Sequence, residues 1–102
     1  MNPNDSQNET DYLREYFRRS MPDFVVMFDS DTDLRAAGFR FDGDQGLNYL
    51  LKISREAIED NTTTGLVQCL EAAKWREVIS QLPSDKYALF TRQGFTIRHR
   101  GE

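Results

Sequence analysis

The strongest constraint in this chain lies near its C-terminus, where two stretches, residues 87–92 and 95–100, flank Gln93 and Gly94. A glycine in a two-residue connection supplies a positive φ, so the flanking stretches fold back on each other as an antiparallel β-hairpin. With Gln93 and Gly94 as the turn, Phe90 faces Ile97, Leu89 faces Arg98, Tyr87 faces Arg100 and Thr91 faces Thr96. Ala88, Phe90, Phe95 and Ile97 then belong to the core. Tyr87, Thr91, Thr96, Arg98 and Arg100 belong to the opposite face, which an antiparallel sheet commonly leaves in water.

The same reasoning finds strands upstream. Phe24, Val25, Val26, Met27 and Phe28 form an unbroken apolar run short enough to be a buried strand, which the polar stretch Asp29 to Asp33 ends. Residues 38–42 and 47–53 flank the turn formers Asp42, Gly43, Asp44, Gln45 and Gly46, a second hairpin. In it Leu47, Tyr49, Leu51 and Ile53 share a face with Phe39 and Phe41. Helical spacing governs the remainder. Tyr12, Leu13, Tyr16 and Phe17 predict an amphipathic helix over 10–20, capped by Thr10 and stopped by Pro22. Ser54 caps a short helix over 55–60, and a longer helix is expected over 66–82, closed by Pro83. Along that last helix the apolar face changes sides. Leu66, Cys69, Leu70 and Ala73 cluster together, while Trp75, Val78, Ile79 and Leu82 lie about half a turn round. Either the helix bends near Lys74 or it is buried on two sides, and two-sided burial is the expectation. The reading is one α+β domain over 10–102 behind a disordered tail over 1–9: a mainly antiparallel sheet of four to five strands with helices packed on one face.

Composition narrows the function. A chain of 102 residues with 38% apolar and 12% aromatic residues has enough for one small core. No apolar run approaches the ~18 residues that span a bilayer, and the polar start lacks the layout of a secretory signal. The single cysteine, Cys69, makes no internal disulfide and no four-ligand zinc site. A cytoplasmic protein that makes no use of a membrane is expected, as a monomer or homodimer. The net charge of −4 argues against a dedicated nucleic-acid binder. Charge is unevenly spread: residues 21–60 carry nine acids against four bases, and residues 61–102 six bases against four acids. Such a split steers a charged partner or lets copies meet head to tail.

Motifs for chemistry are sparse. Val25 to Phe28 followed by Asp29-Ser30-Asp31 resembles the nucleophile strand of haloacid dehalogenase-type phosphohydrolases. In those enzymes one aspartate attacks phosphorus and a second handles protons beside magnesium. This chain departs from the pattern at Asp33, where the family has Thr or Val, and is too short for the doubly wound sheet. Asp29, Asp31 and Asp33 also match the first three ligand positions of a calcium loop, but Leu34 and Arg40 stand where its glycine and bidentate glutamate belong. The only histidine, His99, has no nucleophile at a recognisable spacing, and Cys69 reads as a packed small hydrophobe. No catalytic residue, metal site or cofactor is therefore expected.

From Phe39 onward, the order of elements resembles the small YrdB-like bacterial family of uncharacterised proteins. The residues that carry it are Ile53, Glu56, Ala57, Ile58 and Glu59, then Leu70, Trp75 and Ile79, then Lys86 and Tyr87, and finally residues 94–97. The resemblance implies a fold and supplies no activity and no catalytic residues. The expected function is a small non-catalytic binding protein, a regulator or inhibitor of a larger protein partner, of the kind common among bacterial and phage accessory proteins. Asp29, Asp31, Asp33, Asp42 and Asp44 are the expected contacts to a basic partner. The alternative is a nucleic-acid-binding module using Tyr87, Arg92, Arg98, His99 and Arg100. A second alternative is a metal-dependent phosphohydrolase using Asp29.

Overall fold

Trp75, the one tryptophan, has no exposed surface, and the elements that enclose it define the fold. The computed structural model describes residues 5–31 and 36–100, with side chains over 11–28 and 36–100. Five strands form one sheet in the order β1 (Val25–Asp31), β2 (Ala36–Asp42), β3 (Asn48–Ser54), β4 (Lys86–Thr91), β5 (Gly94–His99). Neighbours are antiparallel except β3 and β4, which run parallel. A parallel pair needs a long crossover, and residues 55–85 supply it with three helices: α2 (Arg55–Glu59), α3 (Thr63–Ala72) and α4 (Trp75–Ser80). A fourth, α1 (Asp5–Ser20), precedes the sheet. The architecture is the expected α+β one, a mostly antiparallel sheet with helices on one face. No helix among the described residues is long and apolar enough to cross a membrane.

The helix-side face of the sheet is built by alternation. Phe41 stands opposite Val26 and Tyr49, and Phe39 opposite Phe28 and Leu51. Phe17 from α1 meets Phe39, Phe41 and Trp75 edge-on at ring separations of 4.9, 5.5 and 4.8 Å, geometry that the ring quadrupoles favour. Trp75 also finds a polar partner: its Nε1 donates to the Tyr16 hydroxyl at 2.9 Å, and that hydroxyl donates to the Glu71 carboxylate. Burial first, and then the Glu71 bond, raises the Tyr16 phenol above its ordinary pKa of 10.0.

Several expectations are corrected. Helix α1 starts at Asp5, so residues 5–9 are helical and Thr10 lies inside the helix rather than capping it. Acidic residue types in the segment DSQNE suit the positive end of the helix dipole, which lets the helix extend backward. Asp29 to Asp31 continue strand β1 instead of ending it, because all seven β1 positions have partners on β2. Leu47 precedes β3 and is exposed.

The long helix over 66–82 is two helices. Ala73 ends α3, and Lys74 takes the left-handed conformation at φ 56° and ψ 52° before α4 begins. A non-glycine residue there costs about 1–2 kcal/mol. The compensation is geometric: Leu66 and Leu70 before the break, and Trp75 and Ile79 after it, all enter one core. The half-turn shift in the apolar pattern is thus the imprint of a break, and burial on two sides is not needed. Cys69 is exposed, not packed.

The C-terminal hairpin keeps its expected faces but not its register. Thr91 pairs with Gly94, Phe90 with Phe95, Ala88 with Ile97, Leu89 with Thr96 and Tyr87 with Arg98, so the turn residues are Arg92 and Gln93. The Thr91 hydroxyl accepts from the Gln93 amide at 3.1 Å and donates to the Gly94 carbonyl at 3.3 Å, fixing the two-residue turn one position earlier. Gly94 does adopt a positive φ, of 110°. A slip of two residues leaves every side chain on its own face, yet Ile97, expected in the core, is exposed.

Candidate functional site

Strand direction separates the residues expected to act together. Asp29 and Asp31 stand opposite Gly38 and Ala36, at the end of the sheet where β1 finishes. Asp42 stands opposite Val25 at the other end. Six residues of strand, about 20 Å, lie between the positions of Asp31 and Asp42. Asp44 follows in a tight turn, Asp44–Gly46, where Gln45 and Gly46 have φ of 61° and 79°. Asp33 lies outside the described residues. The strand positions of Asp29 and Asp31 and that of Asp42 therefore lie at opposite ends of the sheet.

Asp42 is also engaged locally. It accepts from Arg40 Nε at 3.1 Å and from the Asn48 side-chain amide. Asn48 in turn accepts from Arg100, whose guanidinium also donates to the Asn48 carbonyl at 3.1 Å and the Lys86 carbonyl at 3.2 Å. Burial, and then the nearby Arg40 charge, holds the Arg100 guanidinium below its usual pKa. Asp42 and Arg100, assigned from sequence to two rival surfaces, are the ends of a single hydrogen-bonded chain through Asn48, which ties β2 and β3 to the strand that follows β4.

Most of the remaining hairpin candidates are similarly committed. Tyr87, expected to offer a ring to a nucleobase, is 4% exposed, packed with Ala36 and Leu89 beneath the Lys52 ammonium 4.5 Å from its ring centroid. Arg92 pairs with Asp60 at 2.9 Å and Glu56 at 3.9 Å. Asp60 first, then Glu56, raises its pKa above the ordinary value. His99 Nδ1 lies 3.8 Å from the Asp85 carboxylate. Arg98 is exposed on β5. Sequence spacing places these residues on one hairpin and cannot show that their partners come from α2 and β3.

Among the described residues, a groove and a strand edge are accessible. The groove, of about 630 Å³, lies between α3 and the β4–β5 turn, floored by Ala57, Ala73 and Phe90 and reached by Cys69. Its rim groups satisfy each other: Asp60 binds Arg92, and Asn61 donates to the Ala57 carbonyl at 2.8 Å. Among the described residues no buried side-chain polar atom lacks a hydrogen-bond partner, and no three His, Cys, Asp or Glu side chains gather as metal ligands.

The other surface is the outer edge of β1. This strand closes the sheet on one side, with β2 as its single neighbour in the strand order. Val25 is 64% exposed, Met27 45% and Phe28 39%. Unpaired backbone donors and acceptors beside exposed apolar side chains form a template for another strand; natural edges are guarded by charged side chains, lysine above all, by proline or by a bulge, and the charges of β1, Asp29 and Asp31, stand only among its last three positions. β1 contains no lysine or proline, and its register with β2 runs without interruption. Sequence reasoning singled out its aspartates; the apolar residues before them looked like core because a run of five is indistinguishable from a fully buried strand. An edge position antiparallel to β2 is also unlike the central parallel strand that carries the nucleophile of haloacid dehalogenase-type enzymes.

Compared with protein-family models, curated proteins and solved structures, the chain matches none. The likeness to the YrdB-like family rests on the residues quoted above.

Proposed function

We propose that this chain is a non-catalytic binding protein, a regulator or inhibitor that holds a protein partner by taking an extended segment of it onto the edge of β1. The observation that carries this reading is the exposure of Val25, Met27 and Phe28 on an edge strand that holds no lysine, proline or bulge. Strand addition draws affinity from main-chain hydrogen bonds and selectivity from alternate side chains. Asp29 and Asp31, within the same strand, favour a segment carrying basic residues and speed its approach. A cytoplasmic setting, in which a lone thiol such as Cys69 stays reduced, belongs to the same reading.

The test is capture from source-cell lysate on the immobilised protein, read by mass spectrometry and compared with Phe28→Lys and with the double variant Asp29→Lys, Asp31→Lys. A partner held stoichiometrically by the native chain, lost with Phe28→Lys and weakened with the double variant supports the reading. Equal retention of that partner by both variants moves the contact away from β1 and overturns it.

A further inference from the structure

The sheet has two open edges, and they match each other. Taking β1 as pointing up, β2 points down, β3 and β4 up and β5 down. A second copy set beside the first, with its helices on the same side, therefore brings its β1 antiparallel to the first copy's β5, the arrangement that antiparallel neighbours already use throughout most of this sheet. We infer that the partner segment for the β1 edge is the β5 edge of another copy of this chain. The inference rests on the reading of β1 as a strand-accepting edge and names its occupant.

Face alternation limits the register. Even-numbered β1 positions share the helix side with odd-numbered β5 positions, because Val26 stands opposite core residue Phe41 and Ile97 opposite core residue Ala88. Among the registers this allows, the one with Asp31 opposite Gly94 and Val26 opposite His99 overlaps all six residues of β5 with six of the seven in β1. It sets Phe28 directly opposite Ile97, joining two exposed apolar side chains, 39% and 46% accessible, on the same side. It also sets Arg98 opposite Met27 and diagonal to Asp29, on the face away from the helices, so that a basic position of one edge neighbours an acidic position of the other. Pairing β1 antiparallel with a second β1 over its full length would instead set the two Asp29 positions diagonal to each other, with no basic position beside them.

The helix layer has the complementary shape. α1 packs on β1, whereas α4 packs on β3 and β4, and Ile97 on β5 stays exposed on the helix side. A neighbour's β1 would carry its own α1 to the place beside that exposed surface. The contact is heterologous, each copy giving one edge and accepting the other, so it builds open chains or a ring rather than a closed two-fold dimer.

The experiment uses the full chain in a Cys69→Ser background, with Phe28→Cys in one preparation and Ile97→Cys in another, each oxidised alone and as an equal mixture. The expected result is a disulfide-linked dimer in the mixture and little in either preparation alone. Light scattering of the native chain should show a mass that rises with concentration past that of a dimer, and the exposed-site variant Ile97→Asp, which leaves the core intact, should lower it toward the monomer. A disulfide dimer from the Phe28→Cys chain alone would place β1 against β1 and overturn the assignment. So would a monomer mass for the native chain at every concentration with no disulfide in the mixture. A monomeric chain that still captures a protein partner through Phe28 refutes self-pairing while leaving the strand-accepting role of β1 in place.

Discussion

The helix-covered middle of the sheet and its β4–β5 end are made of similar strands held by different physics. In the middle, Phe17, Phe39, Phe41 and Trp75 interlock with no exposed surface, and one polar knot, Trp75 to Tyr16 to Glu71, fixes the helices above them. At the β4–β5 end the side chains of β5 are exposed or half-buried, and long cations tie it to its neighbours: Arg100 inward to Asn48 and Lys86, Arg92 at the surface to Asp60 and Glu56. Dispersion and burial bind the first region, and they depend on volume. In the second, β4 is buried with the core, and directional hydrogen bonds that depend on particular atoms staying partnered are added at its open side. The lesson is that an arginine on an exposed strand is as much a fastener as a ligand-binding group, according to what faces it.

Substitutions distinguish the two regimes. The largest effect is expected from Trp75→Ala, which removes the ring at the centre of the aromatic cluster and leaves Tyr16 without its donor; a loss of about 3–5 kcal/mol in urea unfolding is expected. Since a chain of this size is stable by only about 5–15 kcal/mol, that is a large part of the total. A much smaller loss would mean that the middle tolerates a cavity and that the contrast is overdrawn. Arg100→Ala should come next, at about 1–3 kcal/mol, because the Asn48 carboxamide and the Asn48 and Lys86 carbonyls lose a charged donor together. Hydrogen exchange at β5 amides should rise in that variant while α4 remains protected, and equal loosening of both would erase the distinction.

Lys74→Gly tests the break between α3 and α4 with the opposite sign. Glycine takes the left-handed conformation without the Cβ penalty, so stabilisation of up to about 1 kcal/mol is expected, reduced by glycine's greater freedom in the unfolded chain. A clear destabilisation would show that the Lys74 side chain, rather than its backbone, matters at the break. Arg92→Ala should change stability least, since its pairs with Asp60 and Glu56 sit in solvent. What effect it has should vanish in high salt, a screening test that Trp75→Ala should pass unchanged.

Legibility followed the same division. Strand alternation around Phe39, Phe41, Leu51 and Ile53, and the Ser54 cap of α2, whose hydroxyl accepts from the Ala57 amide at 3.2 Å, were readable because each is a local pattern. The hairpin's faces were readable and its register was not, since a two-residue slip conserves every face and Thr91 decides the turn with its own side chain. The candidate site was legible only in part. Asp29 and Asp31 fall on the edge strand, but Val25, Met27 and Phe28 beside them looked like core, and nothing local distinguishes an edge strand from a central one.

By itself, then, the sequence determined most of the strands, the buried face shared by Phe39, Phe41, Leu51 and Ile53, and the α+β class, because apolar periodicity acts over a few residues and survives in any compact arrangement. Only the tertiary structure decided which strands lie at the edges, that Asp42 and Arg100 meet through Asn48, and that Lys74 turns one helix into two. Those outcomes depend on contacts between residues distant in the chain, and the energy of such a contact exists only once the fold has brought its partners together.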